Sequence, residues 1–93
     1  MRAGAPNAAE HLERSAESVL FNIGEGVGAW SPKTKIAAYE VSKREASELR
    51  AILRRFVIKR LLTSHDTRKA YDLAGTAVGM LTNAIKSVQQ RLP

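Results

Sequence analysis

The stretch NIGEGVGAWS, residues 22–31, separates one helical pattern before it from two helical patterns after it. Three of its residues are glycines, and glycine favours the positive φ angles of helix C-termini while weakening helix interiors. Ser31 can cap a following helix with its hydroxyl, and Pro32 suits a first helical position because it has no N–H to leave unpaired. The stretch therefore predicts a helix that ends near Ile23, a positive φ at Gly26, and a second helix that begins at Pro32.

Apolar residues recur at helical spacing in three segments of the chain. They predict helices at about residues 8–23, 32–59 and 64–91, the last of them capped by Thr63 or Ser64. Short connections between long helices imply antiparallel neighbours. We therefore predict one all-α domain over the whole 93-residue chain, an antiparallel up-down helical bundle.

Two glycines, Gly75 and Gly79, lie inside the third predicted helix. Each costs about 1 kcal/mol relative to alanine at such a position. Since glycine allows another element to come close, we expect a close helix approach at both positions to compensate.

The composition supports a small helical protein of a reducing compartment. Hydrophobic residues make up 44% and aromatic residues only 5% of the chain, so the core must consist of Leu, Ile, Val and Ala. The absence of cysteine excludes disulfides and cysteine-based metal sites. No apolar run approaches the roughly 18 residues of a membrane span, and the N-terminal residues lack the apolar region of a secretory signal. We expect a cytoplasmic protein.

The net charge of +6 is unevenly distributed. Residues 1–31 hold two basic and four acidic side chains, whereas residues 32–60 hold nine basic and three acidic ones. Within this basic segment Lys43, Arg50 and Arg54 are spaced by seven and four residues, so they share one side of the second helix. The stripe is a candidate for binding nucleic-acid phosphates. The alternative is that these charges only keep the helix solvated.

No constellation of residues in the sequence indicates catalysis. His11 and His65 are far apart and belong to no metal-ligand pattern, and no serine lies in a G-x-S-x-G motif. GEGVG superficially resembles a phosphate-binding loop, but no strand pattern precedes it and no Lys-Ser/Thr pair follows it. We therefore expect no enzymatic activity, no metal, no cofactor and no small-molecule substrate.

Four further polar or aromatic residues leave alternatives open. Asn22 and Glu25 lie one turn apart and can bond to backbone groups where the first helix ends. The alternative is that the Glu25 carboxylate acts as a general base, although no second titrating partner is visible. Glu48 lies beside the apolar stripe of the second helix, either paired with a basic neighbour or buried as a carboxylate that sets the packing register. Trp30 is either a contact of the capping turn or an exposed interface anchor.

The sequence AEHLERSAESVLFNIGEGVGAWSP, residues 9–32, resembles a family signature in which a helix ends S-I-x-x-N-I-A-E-G-x-G-R and a serine opens the next helix. The family is that of the four-helix bundle proteins related to the 23S ribosomal RNA intervening-sequence protein. The positions similar to the family pattern are Asn22, Ile23, Glu25, Gly26, Gly28 and Ser31, followed downstream by Lys35, Tyr39, Ala46, Glu48, Ile52 and Leu53.

The resemblance implies a structural role for the motif residues and a class of function. Family members are small bacterial proteins with no established catalytic activity, and they resemble ring-forming homo-oligomers, often pentamers. Some are encoded within insertions in ribosomal RNA genes, and relatives act as nucleic-acid-binding partners of reverse transcriptases. RNA or a reverse-transcriptase-like protein is therefore a candidate partner of this chain.

The chain also departs from the family pattern. Gly24 stands where the family usually has Ala, and Ala29 where it usually has Arg. Residues 42–45 replace an A-x-G-S segment, which predicts the loss of a small residue at a helix contact. The family has a further helix before the one near residue 8, so we expect either a natural chain that starts upstream of Met1 or three helices that leave an apolar groove.

Such a groove favours a non-enzymatic module that self-associates and has RNA as a candidate ligand. The alternative is a purely structural or protein-interaction module without nucleic-acid binding.

Overall fold

Three long helices make up most of the structure. The computed structural model describes residues 4–92, with side chains from residue 10 onward, and has α1 at Gly4–Gly28, α2 at Pro32–Ile58 and α3 at Ser64–Gln89. No strand occurs in this range, so the all-α prediction is confirmed. The helices form an elongated body with Cα extents of 53 × 18 × 14 Å.

The first helix is longer than predicted at both ends. It begins at Gly4 rather than near residue 8, and it continues past Ile23 to Gly28. The predicted positive φ at Gly26 is wrong, since no glycine of the described chain has one. Helix propensity is overridden here by packing: a β-carbon built on Gly26 would lie 2.5 Å from Cε1 of Tyr39 in α2. Gly26 therefore allows Tyr39 of α2 to pack closely against α1, and it does not form a turn.

A lysine of α2 binds the last carbonyls of α1. Nζ of Lys35 donates to the carbonyl oxygens of Gly26 at 2.7 Å and of Val27 at 3.2 Å. The Gly26 carbonyl otherwise accepts only a longer bond of 3.3 Å from the Ala29 N–H among the described backbone groups, and a cation is favourable at the negative end of the helix dipole. The expectation that Asn22 and Glu25 bond to backbone groups at the end of α1 is wrong. The Asn22 amide donates to the Ser18 carbonyl inside α1, and Glu25 is exposed.

The predicted N-caps of α2 and α3 are confirmed. The Ser31 hydroxyl accepts a hydrogen bond from the Thr34 backbone N–H at 3.0 Å, with proline in the first turn. The Thr63 hydroxyl accepts one from the Asp66 backbone N–H, also at 3.0 Å. Both interactions are local, and each pairs a donor that the helix itself leaves free.

The end of α2 contains a backbone feature that the sequence pattern does not reveal. Arg60 has φ 59° and is the one non-glycine residue of the described chain in the left-handed region. Its N–H donates to the Val57 carbonyl, and the Leu61 N–H donates to the Phe56 carbonyl at 2.8 Å. This pair of bonds is the Schellman motif, which usually has glycine at the left-handed position.

Small side chains on α2 allow the closest contact with α1. Ser42 is fully buried and Ala46 is 1% exposed. The Ser42 hydroxyl donates to the Val19 carbonyl of α1 at 2.9 Å. The prediction that residues 42–45 lose a small contact residue is wrong, because Ser42 is itself that residue and adds a hydrogen bond between the helices.

α2 is the central helix of the bundle. Contacts between Val19 and Ser42, and between Gly26 and Tyr39, show that α2 runs antiparallel to α1. Over the described residues, α2 packs on both α1 and α3, whereas no Cα atom of α1 lies within 8 Å of one in α3. The buried apolar side chains follow the faces that meet on α2: Val19, Ala46, Leu53, Ala74, Leu81, Ile85 and Val88.

Alanine substitutions at Gly24 and Gly26 should change stability in opposite directions. A β-carbon on Gly24 meets nothing within 4 Å, so Gly24→Ala should stabilise the helix by up to about 1 kcal/mol. Gly26→Ala must displace the Tyr39 ring and should destabilise by about 1–3 kcal/mol. Thermal unfolding at one protein concentration measures both, at roughly 4–8 °C per kcal/mol. Equal shifts for the two variants would contradict the close approach.

Arg60→Gly should stabilise the protein by about 1 kcal/mol, because glycine adopts the left-handed conformation without the steric cost of a β-carbon. Lys59→Gly is the matched control, since Lys59 has an ordinary φ of −81° and should gain nothing. Urea unfolding of both variants tests the difference. A gain at Lys59 as large as that at Arg60 would show that backbone strain is not the cause.

Candidate functional site

The stripe predicted to bind phosphates contains one residue that packs against α3. The guanidinium carbon of Arg50 lies 4.1 Å from the centre of the Tyr71 ring, within the range of a cation–π contact. The same carbon would lie 3.0 Å from a β-carbon built on Gly75. Gly75 thus makes room for the Arg50 side chain rather than for another helix backbone. The expected close approach is wrong at Gly79, since nothing lies within 4 Å of such a carbon there.

Arg54 remains more available than Arg50, whereas Lys43 belongs to the same half-buried class as Arg50. Arg54 is exposed, with its guanidinium carbon 5.9 Å from the centre of the Tyr71 ring, and Lys43 is half-buried. The structure therefore keeps all three residues on the α3 side of α2 but divides their surroundings. Arg50 is held between the helices, and its Nε atom is buried without a hydrogen-bond partner.

The sequence analysis missed a cleft where the C-terminal half of α2 meets the N-terminal half of α3. This arginine cleft has a volume of about 330 Å³ and is lined by Arg54, Val57, Ser64, Thr67, Arg68, Tyr71 and Asp72. Neither Arg54 nor Arg68 has a carboxylate within 4.0 Å among the described side chains. The spacing of Ser64, Arg68 and Tyr71 by four and three could have indicated their shared flank.

A second surface, the apolar groove, lies between α1 and α3. It is lined by Ile23, Tyr39, Ala77, Met80, Leu81 and Ala84. Its walls belong to α1 and α3, whose Cα atoms stay more than 8 Å apart in the described chain, and Tyr39 of α2 lies between them. The groove agrees with the expectation that three helices leave an apolar channel along the bundle.

The flanks of the groove are apolar and exposed. Leu20 and Val27 share a flank of α1 with Ile23, whereas Leu73 and Met80 share a flank of α3 with Ala77. The exposed fractions of these four large side chains are 69% for Leu20, 66% for Val27 and Met80, and 60% for Leu73. Adjacent exposed side chains of this kind generally mark an interaction surface.

The remaining motif residues are at the surface or in helix ends. Glu48 is exposed and has no cation within 4.0 Å in the described chain, so neither the paired nor the buried interpretation holds. Trp30 is fully exposed, which rules out a packed capping turn and leaves the interface anchor. Gly28 ends α1 and Ser31 caps α2.

Other classes of site have little basis in the described part of the chain. Its histidines and carboxylates form no group of three that could hold a metal ion. Neither of the two described histidines lines the arginine cleft or the apolar groove. None of the helices in residues 4–92 has an apolar segment of the length that a lipid bilayer requires.

The fold is an all-α bundle of the four-helix type, of which the structure describes three helices. Its features are antiparallel neighbouring helices, small contact residues on α2 and an exposed apolar groove. A family model for the 23S rRNA-intervening sequence protein matches residues 5–83. The chain belongs to this family. Comparisons with curated proteins and with solved structures found no match.

Arg50→Ala should destabilise the protein by about 1–2 kcal/mol, because it removes the guanidinium from between Tyr71 and the backbone of Gly75. Arg54→Ala, which removes the same side chain one turn later, should change stability by no more than about 0.5 kcal/mol because Arg54 is exposed. Urea unfolding compares the two variants. If Arg54→Ala proved as costly as Arg50→Ala, the packing role of Arg50 would be wrong.

Proposed function

We propose that the protein is a non-enzymatic, cytoplasmic helical module that acts by self-association through the apolar groove. The observation that supports this most directly is the pair of apolar flanks on α1 and α3, which no helix of the described chain covers. A helix laid between them would bury both flanks at once, as the fourth helix of a bundle does. Burial of each large side chain removes apolar surface from water and favours association.

A second copy of this chain is the partner that the charge distribution favours. Between residues 10 and 28, α1 carries four glutamates against one arginine, whereas α2 carries seven basic against three acidic side chains. A head-to-tail contact that brings α1 of one copy toward α2 of the next would therefore be electrostatically complementary. Repeated contacts of this type close into rings, so we propose a cyclic homo-oligomer such as the pentamer that the family resemblance implies.

The fully exposed Trp30 supports the same proposal. Tryptophan buries a large area when it enters an interface and is enriched among the residues that dominate binding energy. A side chain of this size that is 100% exposed leaves its whole apolar surface in water in the isolated chain. An assembly that covers Trp30 would remove this cost.

RNA binding is a second candidate function, favoured by the basic edge where α2 meets α3. Lys43, Arg54 and Arg68 lie along this edge, and none of them has a carboxylate within 4.0 Å among the described residues. Cations without such partners can neutralise nucleic-acid phosphates and release counterions. The alternative is an interaction module whose basic edge contacts only protein.

Met80→Glu should shift the protein to a monomer, because it places a charge on the exposed apolar wall of the groove. Asn83→Glu is the matched control: it places the same residue at an exposed position of α3 that does not line the groove. Light scattering across a concentration series measures the mass, and circular dichroism verifies that both variants keep their helices. A wild-type protein that remains monomeric at all concentrations, or an Asn83→Glu variant that dissociates as fully as Met80→Glu, would refute the proposal.

A further inference from the structure

The arginine cleft combines groups that recognise both parts of a nucleotide. Its polar wall contains Arg54 from α2 and Arg68 from α3, and a half-buried Tyr71 ring lies between the two helices. Guanidinium groups bind phosphate oxygens in a planar, bidentate manner. An aromatic ring offers a surface on which a nucleobase can stack. The two kinds of group thus meet in one cleft.

The preorganisation of the ring distinguishes this cleft from an ordinary basic surface. Arg50 lies against the Tyr71 ring at 4.1 Å, and Gly75 allows it to remain there. Since Arg50 does not line the cleft, its contact fixes the ring without occupying the same space. A ring that is already ordered loses less conformational entropy when a ligand binds.

The charge balance favours an anion in spite of one carboxylate in the lining. Asp72 is exposed and lies on the rim formed by α3, but it is not within 4.0 Å of either cleft arginine. The lining therefore contains two guanidinium groups and one carboxylate, and Arg50 adds a further positive charge against the Tyr71 ring. The hydroxyl of the exposed Ser64 adds a hydrogen-bond donor in the same cleft.

We propose that the arginine cleft binds a nucleotide, with its phosphate between Arg54 and Arg68 and its sugar or base against Tyr71. The volume of about 330 Å³ lies at the lower end of ligand pockets, roughly 300–1,000 Å³, which suits one nucleotide rather than a folded duplex. This inference rests on the second candidate function above and assigns it a place. The nucleotide is either free or one unit of a single-stranded RNA.

The position of the cleft separates this function from self-association. Arg68, Tyr71 and Gly75 lie on one flank of the buried stripe of α3, whereas Leu73, Ala77 and Met80 lie on the opposite flank. Substitutions in the cleft therefore leave the apolar groove intact. The mass of the assembly, measured by light scattering, should be the same for the wild type and for every cleft variant.

Binding of a fluorescent single-stranded RNA of about eight nucleotides, within the usual site sizes of roughly 4–16, tests the proposal by anisotropy. The double variant Arg54→Gln/Arg68→Gln should weaken binding about tenfold or more, as expected for the loss of charge-assisted hydrogen bonds. The matched control Lys33→Gln/Arg44→Gln removes the same charge from exposed positions outside the cleft. It should weaken binding only a few-fold.

Asp72→Asn should strengthen the same binding, because it removes the carboxylate from the rim without changing its size. Circular dichroism verifies the fold of each variant. If the cleft double variant and the control double variant lost RNA affinity equally, the assignment of binding to the cleft would be overturned, and general RNA binding would remain. No RNA binding by any form, with the assembly mass unchanged, would overturn the cleft and the RNA function but not self-association.

Calorimetry with adenosine monophosphate and with inorganic phosphate identifies the source of the nucleotide. Binding of the mononucleotide as tightly as the RNA, and its loss in the cleft double, would assign the cleft to a free nucleotide. Tighter binding of the RNA would assign it to a strand. If inorganic phosphate bound as tightly as the mononucleotide, Tyr71 would add nothing to binding and the proposal would be overturned.

Discussion

The bundle depends on how two different contacts hold α2 between its neighbours. Toward α1, α2 presents the small, fully buried Ser42, whose hydroxyl donates a hydrogen bond to the Val19 carbonyl. Toward α3 it presents Arg50, whose guanidinium lies on the Tyr71 ring. The first contact tolerates no added volume, whereas the second requires a long cationic side chain. Since no Cα atom of α1 lies within 8 Å of one in α3 in the described chain, the close helix packing takes place at these two interfaces.

The features that the sequence predicted correctly are local. The caps at Ser31 and Thr63 depend on residues within three positions, and helical spacing of apolar residues identified all three helices. The errors arose where a distant residue decides the outcome. The continuation of α1 through its glycines involves Tyr39 and Lys35, nine or more positions away, and local propensity does not report such partners.

The basic stripe illustrates the same limit for function. Their place on one side of α2 made Arg50 and Arg54 appear equivalent, but only contact with α3 determines that one packs and the other remains exposed. The cleft itself combines residues from two helices, so no single periodic pattern contains it. The cleft and the apolar groove lie on opposite flanks of α3, because the buried stripe of a helix separates its surface into two flanks.

In the described chain no Cα atom of α1 lies within 8 Å of one in α3, and this separation affects the dynamics of the bundle. Over the described residues, the backbone of each outer helix comes close only to α2, so we expect α1 to detach at a lower free-energy cost than the α2–α3 hairpin needs to unfold. Backbone amides of α1 would then exchange with solvent through a partial opening of lower free energy than global unfolding. An assembly that covers the outer face of the groove would suppress this opening, and so couple the order of α1 to the concentration of the protein.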